Sequence, residues 1–298
     1  LINGFKSRDY GSESAPLFHE ASVFEGLQEE GIASSFAHSF LLVASQGQVA
    51  RPDWMARLYA TGRKAAFSTE TMIREDQNGK MVVEKGLLAA RTPVPESGKF
   101  TVVHSLRQKA PFLEGFLMSY EMERTLLLEG SRAWPLLKDL LVNYLDFLVF
   151  RSQDGALPGG WFDAIPSNIV KTSAGLVYFD DEWTIHRSLP IQLVFMRGMV
   201  ALFGTVESSW VKQVPHRSLE ETMKEIFESK QIAWNEQIRA DVLGLDSEIH
   251  EVIFPRASAS SYRDELASVL DRDLNRVRLK NRYPILGKIK RRLLRFKA

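Results

Sequence analysis

Asp163 and Asn168 stand five positions apart in the run Asp163-Ala-Ile-Pro-Ser-Asn168, and a short apolar stretch then leads to Phe179-Asp180-Asp181-Glu182-Trp183. Carboxylate and amide oxygens are the hard ligands that magnesium demands. Phosphoryl transfer from ATP asks a protein mainly for positioning and charge neutralisation, so few side chains suffice and their order along the chain is informative. In that chemistry Asp163 receives or orients the proton of an acceptor hydroxyl, while Asn168 and Asp180 hold magnesium ions that bridge the phosphates. Asp181 stays open as a second ligand. The bland alternative is that Asp163 and Asn168 are turn residues bonding their own backbone beside Pro166. Lys85, upstream after the apolar Met81-Val82-Val83, is the candidate contact to the ATP phosphates, its alternative being a solvated lysine at a strand end.

Other chemistries find little support. The chain has no cysteine, which excludes disulfides, thiolate zinc sites and a thiol nucleophile. Its histidines, at 19, 38, 104, 186, 216 and 250, show no metal-ligand spacing and read as surface or capping residues. A Gly-x-Ser-x-Gly elbow for acyl transfer is absent as well.

These residues need elements to hold them. Residues 16 to 31 read as a helix closed by Gly31, followed by a strand from Phe36 to Ala44. Thr69 to Arg74 and Lys80 to Lys85 flank an Asn78-Gly79 turn, the clearest hairpin in the sequence, and it puts Lys85 at the end of a strand. Thr92 to Lys99 reads as a loop and Gly115 to Tyr120 as a strand. Residues 131 to 151 read as a long helix burying Leu136, Leu137, Leu140, Leu141, Tyr144, Leu145 and Leu148. Gly155 to Gly160 breaks the chain. A second hairpin joins Ile169-Val170 to Leu176 to Phe179, then come an apolar helix from Ile191 to Phe203 and a more polar one over 218 to 240.

This order of elements and motifs resembles the protein-kinase-like superfamily in its aminoglycoside-phosphotransferase-like branch. More narrowly it is similar to bacterial chains in which a SAM-dependent methyltransferase is followed by a kinase-like domain, the type that caps O-antigen by phosphorylating and methylating a terminal sugar. The matching residues are Leu17 to Glu20, Gly31 with Phe36 to Ala44, Lys85, Asp163 to Asn168, Tyr178 to Trp183, and Leu189 to Ile191 with Arg197. The resemblance implies an α+β, two-lobed protein-kinase-like fold with a small β-rich N-lobe (48–125) and a larger helical C-lobe (126–260). Residues 1–47 would be the end of a methyltransferase domain, and 261–298 a basic tail. It implies an ATP- and Mg2+-dependent kinase acting on a sugar or glycan hydroxyl, with Asp163 as base, Lys85 on ATP, and Asn168 and Asp180 on the metal. The sequence departs from the pattern in three places: no Gly-x-Gly-x-x-Gly phosphate loop, Trp161-Phe162 where a His-Arg pair is usual, and only Glu96 or Glu114 as candidate partners of Lys85. A non-catalytic kinase-fold scaffold for a methyltransferase or glycan-assembly complex is the rival expectation. The glycine-rich SAM loop is also missing, so methyl transfer is not expected of this chain alone; a methyltransferase would lie upstream or act in trans.

The formal charge of +1 hides a polarity. Residues 274 to 298 hold ten Lys or Arg and no acidic residue, leaving 28 basic against 37 acidic residues elsewhere. Ile285, Ile289, Leu293 and Phe296 recur at helical spacing among these cations, which suits an anionic membrane surface better than nucleic acid. No apolar run is long enough for a spanning helix and no signal peptide is evident, so the expectation is a cytoplasmic protein, peripheral at the inner membrane through its tail. With Leu1 in place of a starting Met, the chain reads as a piece of a longer protein.

Overall fold

The computed structural model describes residues 26–31 without 28, 53–88, 101–106, 109–205, 215, 217–255 and 259–274. Within them, small antiparallel sheets interspersed with two helices occupy the chain up to Pro190 and helices dominate from Ile191 onward, an α+β architecture.

A four-stranded sheet runs in the order β1 (Ala56–Ala60), β2 (Thr69–Glu75), β3 (Met81–Leu87), β5 (Lys109–Pro111). The β2–β3 hairpin forms where the Asn-Gly pair predicts it, with Gly79 at φ 73°, and Asp76 Oδ1 accepts from the backbone N–H of Asn78 and Lys80. Its register pairs Thr71 with Lys85, and the strand continues two residues past that lysine. Strand β4 (Val102–His104) leaves this sheet and pairs with β10 (Trp183–Ile185), so the segment after the acidic run is tied directly to the N-terminal half.

The short β6 (Phe116–Leu117) gives way to helix α1 (Met118–Leu128), which corrects the expected strand over Gly115 to Tyr120. Met118, Met122 and Leu126 recur every fourth residue and are buried together, so a helical face outweighs the local β propensity. Helix α2 (Ala133–Arg151) falls where its stripe places it, burying Leu137, Leu141, Tyr144, Leu145 and Leu148. Leu136, expected in that stripe, is 37% exposed. β7 (Ala156–Leu157) pairs with β11 (Leu189–Pro190), and β8 (Ile169–Thr172) and β9 (Gly175–Tyr178) form the second expected hairpin, edged by β6. Between them Gly159 is required by close approach: a Cβ there would lie 1.7 Å from the Ile185 carbonyl oxygen.

Helix α3 (Ile191–Thr205) runs through the core with Leu193, Val194, Phe195, Met196 and Met199 buried. The single polar helix expected over 218 to 240 is instead two, α4 (Leu219–Ser229) and α5 (Glu236–Ile253). Two local signals divide them. Gln231 has φ 56°, and the Asn235 side chain caps the second helix by accepting from Ile238 N–H at 2.9 Å. Ser218 and Glu221 close a reciprocal capping box on α4. Helix α6 (Ala259–Leu270) packs on α5 and crosses the expected start of the tail at 261, with Leu266 and Leu270 buried, as is Leu274 beyond its end.

Of the expected helix over 16 to 31, Gly26, Leu27 and Glu29 are helical and Gly31 has φ 70°. The Phe36 to Ala44 strand, the Thr92 to Lys99 loop, Glu96 and the amphipathic segment from Leu279 to Lys297 lie outside the described residues. Among the described residues no helix is long and apolar enough to cross a membrane.

Candidate functional site

The structure joins the four candidate residues in two pairs, each built by a different part of the fold. Asp163 sits between the 3-10 turns Gly159–Trp161 and Pro166–Asn168. Asn168 Nδ2 donates to the main-chain oxygen of Asp163 at 2.9 Å and to its Oδ2 at 3.0 Å, so the amide holds the loop that carries the carboxylate. Asn168 also starts the hairpin, and its carbonyl accepts from Phe179 N–H at 3.2 Å. The residue just before Asp180 is thereby fixed to Asn168. Tyr178 adds a second tie by donating from its hydroxyl to the Asp180 carbonyl at 2.7 Å.

The other pair spans the two halves of the molecule. Lys85 Nζ donates to Asp180 Oδ1 in a close contact and to Glu182 Oε2 at 3.1 Å. Of its expected partners, Glu114 is exposed and Glu96 lies outside the described residues; the carboxylates that meet Lys85 come from the acidic run itself. Glu182 is a hub. Arg63 Nη1 donates to its Oε1 at 2.5 Å while the guanidinium lies over the Trp183 ring, 4.9 Å from the centroid. His104 Nε2 lies 3.7 Å from Glu182, with its ring stacked on Trp183 and edge-on to Phe67. The side chain of His104 is 4% exposed, which corrects the expectation of a surface or capping histidine: an apolar cluster has closed around it.

Burial and charge push the two carboxylates on Lys85 in opposite directions. Desolvation raises the Asp180 pKa, the Glu182 charge raises it further, and Lys85 opposes both. Burial acts in the same sense on Glu182, but its contacts to His104, Lys85 and Arg63 overcome it and bring its pKa down to about 2. Burial works against the Lys85 charge, and the two carboxylates outweigh it, so its pKa rises. Glu182 is therefore the firm anion of the cluster and Asp180 the one poised to gain from another cation.

A pH dependence follows. The Glu182 pKa falls from 4.5 to about 2 on folding, so the stability this group contributes is fully present above pH 4.5 and is lost as pH falls towards 2. The side chain is 3% exposed, and the shift corresponds to about 3 kcal/mol. Asp180 acts in the opposite sense, since a raised pKa favours the folded state as the acid protonates it. In urea titrations between pH 5 and 3, the wild-type chain is expected to lose more stability than Glu182→Gln. Parallel curves for the two proteins would show that Glu182 is not held as an anion.

Behind Asp163 lies a third set of charges that the sequence did not disclose as a unit. Arg197, on α3, donates from Nη2 to Asp163 Oδ1 at 3.0 Å and from Nη1 to Asp246 Oδ1, on α5, at 2.6 Å. Its guanidinium carbon lies 3.9 Å from the centroid of the Phe162 ring. Asp246 is 1% exposed and also accepts from the Tyr262 hydroxyl at 3.2 Å. Burial opposes the Arg197 charge, but Asp246 and Asp163 raise its pKa well beyond the ordinary value. Both oxygens of Asp163 are thus oriented, one by Arg197 and one by Asn168. Each still has a lone pair to offer.

The donor set suits a hard cation. Asn168 uses its nitrogen towards Asp163, which leaves its oxygen as an acceptor, and Lys85 engages Oδ1 of Asp180, leaving Oδ2. Among the described residues no three or more His, Asp or Glu side chains converge as a metal cage. A magnesium ion here would draw on Asn168, Asp180, water and substrate phosphate, its usual manner of binding.

Comparison with family models, with curated proteins and with solved structures found no match to this chain.

Proposed function

We propose that this chain is an ATP- and Mg2+-dependent phosphotransferase that acts on a hydroxyl of a sugar or glycan, folded in the two-lobed manner of protein-kinase-like enzymes. The observation that carries the reading is the meeting of Lys85 with Asp180, 95 positions apart in sequence, beside an Asp163–Asn168 pair tied to the same hairpin. A lysine from a sheet, a carboxylate after a hairpin and an Asp-to-Asn loop supply a phosphate contact, a metal ligand and a hydroxyl acceptor in one region.

In this reading Asp163 accepts the hydrogen bond, and then the proton, of the acceptor hydroxyl on one carboxylate oxygen. Arg197 and Asn168 hold that carboxylate in one orientation, which matters because transfer is sensitive to placement of the attacking oxygen. Lys85 turns from the Asp180 carboxylate to a phosphate oxygen while keeping Glu182 as its anchor. Glu182 thus takes the role for which Glu96 and Glu114 are the sequence candidates. Magnesium, when bound at Asn168 and Asp180, would supply neutralisation of the charge on the transferring phosphate.

A second reading, a non-catalytic kinase-fold scaffold serving a methyltransferase or glycan-assembly complex, draws support from Lys85 being engaged by two carboxylates and from the absence of a glycine-rich phosphate loop in the sequence. Thermal denaturation of the whole chain with ATP, with and without magnesium, separates the two. A ligand that binds only the folded state raises apparent stability, by about 2.7 kcal/mol at a hundred times its Kd. The phosphotransferase reading expects a rise in Tm that requires both ATP and magnesium. An unchanged Tm at millimolar nucleotide would put the scaffold reading first. Peripheral attachment to an anionic membrane through the basic tail belongs to either reading.

A further inference from the structure

A depression of about 400 Å³ opens beside the transfer loop, lined by Phe147 and Arg151 from the end of α2, Trp161, Tyr178, Asp181 and Thr184. Three of these form a continuous aromatic wall: the Phe147 and Trp161 rings are 5.5 Å apart and the Trp161 and Tyr178 rings 5.3 Å. Arg151 reaches over Trp161, 5.7 Å from its centroid. The hollow is within the size of small-ligand sites. None of Lys85, Asp163, Asn168 and Asp180 lines it.

We propose that this depression is a saccharide subsite that anchors one unit of a glycan while another unit is presented to Asp163. Its lining decides the ligand class. The C–H faces of a pyranose ring pack on aromatic faces, and the surrounding hydroxyls both donate and accept. Asp181 supplies an acceptor, the Arg151 guanidinium a fork of donors, and Thr184 a group that does either. A phosphate or nucleotide fits poorly, because Asp181 is the middle residue of the acidic run Asp180-Asp181-Glu182. An aliphatic lipid chain is disfavoured by the charged groups it would desolvate. Trp161 stands two positions before Asp163, and the Tyr178 hydroxyl bonds to the Asp180 carbonyl, so both walls of the hollow connect to the transfer loop. Because no transfer residue lines it, the acceptor must be longer than a single sugar. The use of the subsite in catalysis rests on the phosphotransferase reading; its binding of saccharide does not.

The test is titration of the full chain, without nucleotide, with maltotriose, mannotriose and chitotriose, followed by calorimetry and tryptophan emission. Two variants report on the hollow. Arg151→Ala removes an exposed rim group. Gly160→Val fills the depression from its edge, where an added Cβ meets Thr184 Oγ1 at 3.8 Å and the Trp183 carbonyl oxygen at 3.9 Å, both ordinary contacts, and far-UV circular dichroism and Tm check that the variant folds. At least one trisaccharide is expected to bind with a change in tryptophan emission, weakened about tenfold by Arg151→Ala, the effect of losing a hydrogen bond to a charged group. Gly160→Val is expected to abolish it. Failure of all three trisaccharides to bind, or binding unchanged in both variants, would overturn the subsite. Mg2+-ATP stabilisation without trisaccharide binding would leave the phosphotransferase reading standing alone, and trisaccharide binding without nucleotide stabilisation would leave the subsite alone.

Discussion

Asp180→Ala is expected to abolish the magnesium-dependent stabilisation by ATP and to lower phosphoryl transfer by about 10³-fold or more, the scale set by losing a principal electrostatic element of a transfer site. The same substitution is expected to leave stability within about 1 kcal/mol of wild type. That pairing follows from the charges around Lys85. Asp180 is held as an anion against its burial and against Glu182, which is why its pKa is raised. Removing it takes away a repulsion as well as an attraction, and Lys85 keeps Glu182 at 3.1 Å. A carboxylate present only for structure would behave in the opposite way, with a large loss of stability and no effect on nucleotide binding. Chemical denaturation and nucleotide-dependent Tm, measured on the one variant, distinguish these outcomes. A protein that still gains stability from ATP and magnesium after this change would remove Asp180 from the site.

Glu182 supplies the contrast. It is bound by Arg63 and Lys85, with His104 Nε2 3.7 Å away, and its pKa is pulled down where that of Asp180 is pushed up. Two carboxylates separated by one residue thus have different work. One fixes the lysine and ties β10 to the N-terminal half; the other leaves its second oxygen clear of Lys85, where the phosphotransferase reading puts the metal. Local sequence offers no means of assigning these roles, because Asp180, Asp181 and Glu182 form one acidic run. The division comes from Arg63 and His104, 119 and 78 positions away, which meet the run only in the folded chain.

The sequence was most informative where a signal is local. The Asn-Gly hairpin, the Ile169-to-Phe179 hairpin and the apolar helix from Ile191 rest on turn chemistry or periodicity, and the structure forms each of them. Gly115 to Tyr120 reads as a strand because six apolar or small residues carry too little length to separate the two periods, and the Met118, Met122, Leu126 face extends beyond that window. The join between α4 and α5 is hidden in the sequence for a related reason. Asn235 is a capping residue by type, but no apolar gap marks the break at Gln231. Asp163, Asn168, Asp180 and Lys85 were visible as types in an order. The Arg197–Asp246 pair was not, since its members lie on separate helices and carry no shared motif.

Arg197 is the position at which substitution is expected to cost most stability. Arg197→Met is expected to destabilise the chain by about 3–5 kcal/mol, because Asp246, 1% exposed, loses its cation and remains a buried charge with one hydrogen bond from Tyr262. The stacking on Phe162 is only partly replaced by the thioether. Such a loss alone says nothing about catalysis. The double variant Arg197→Met, Asp246→Leu makes the distinction, since it removes the stranded carboxylate along with its partner and should recover most of the stability. If the Arg197 contact serves only the core, phosphoryl transfer recovers with the fold. If it orients Asp163 as the geometry indicates, the double variant is stable, binds ATP with magnesium as wild type does, and transfers phosphate about 10²-fold more slowly, with the loss in kcat rather than in nucleotide affinity. Wild-type kcat in the stable double variant would reduce Arg197 to a structural residue and leave Asn168 as the side chain that positions Asp163.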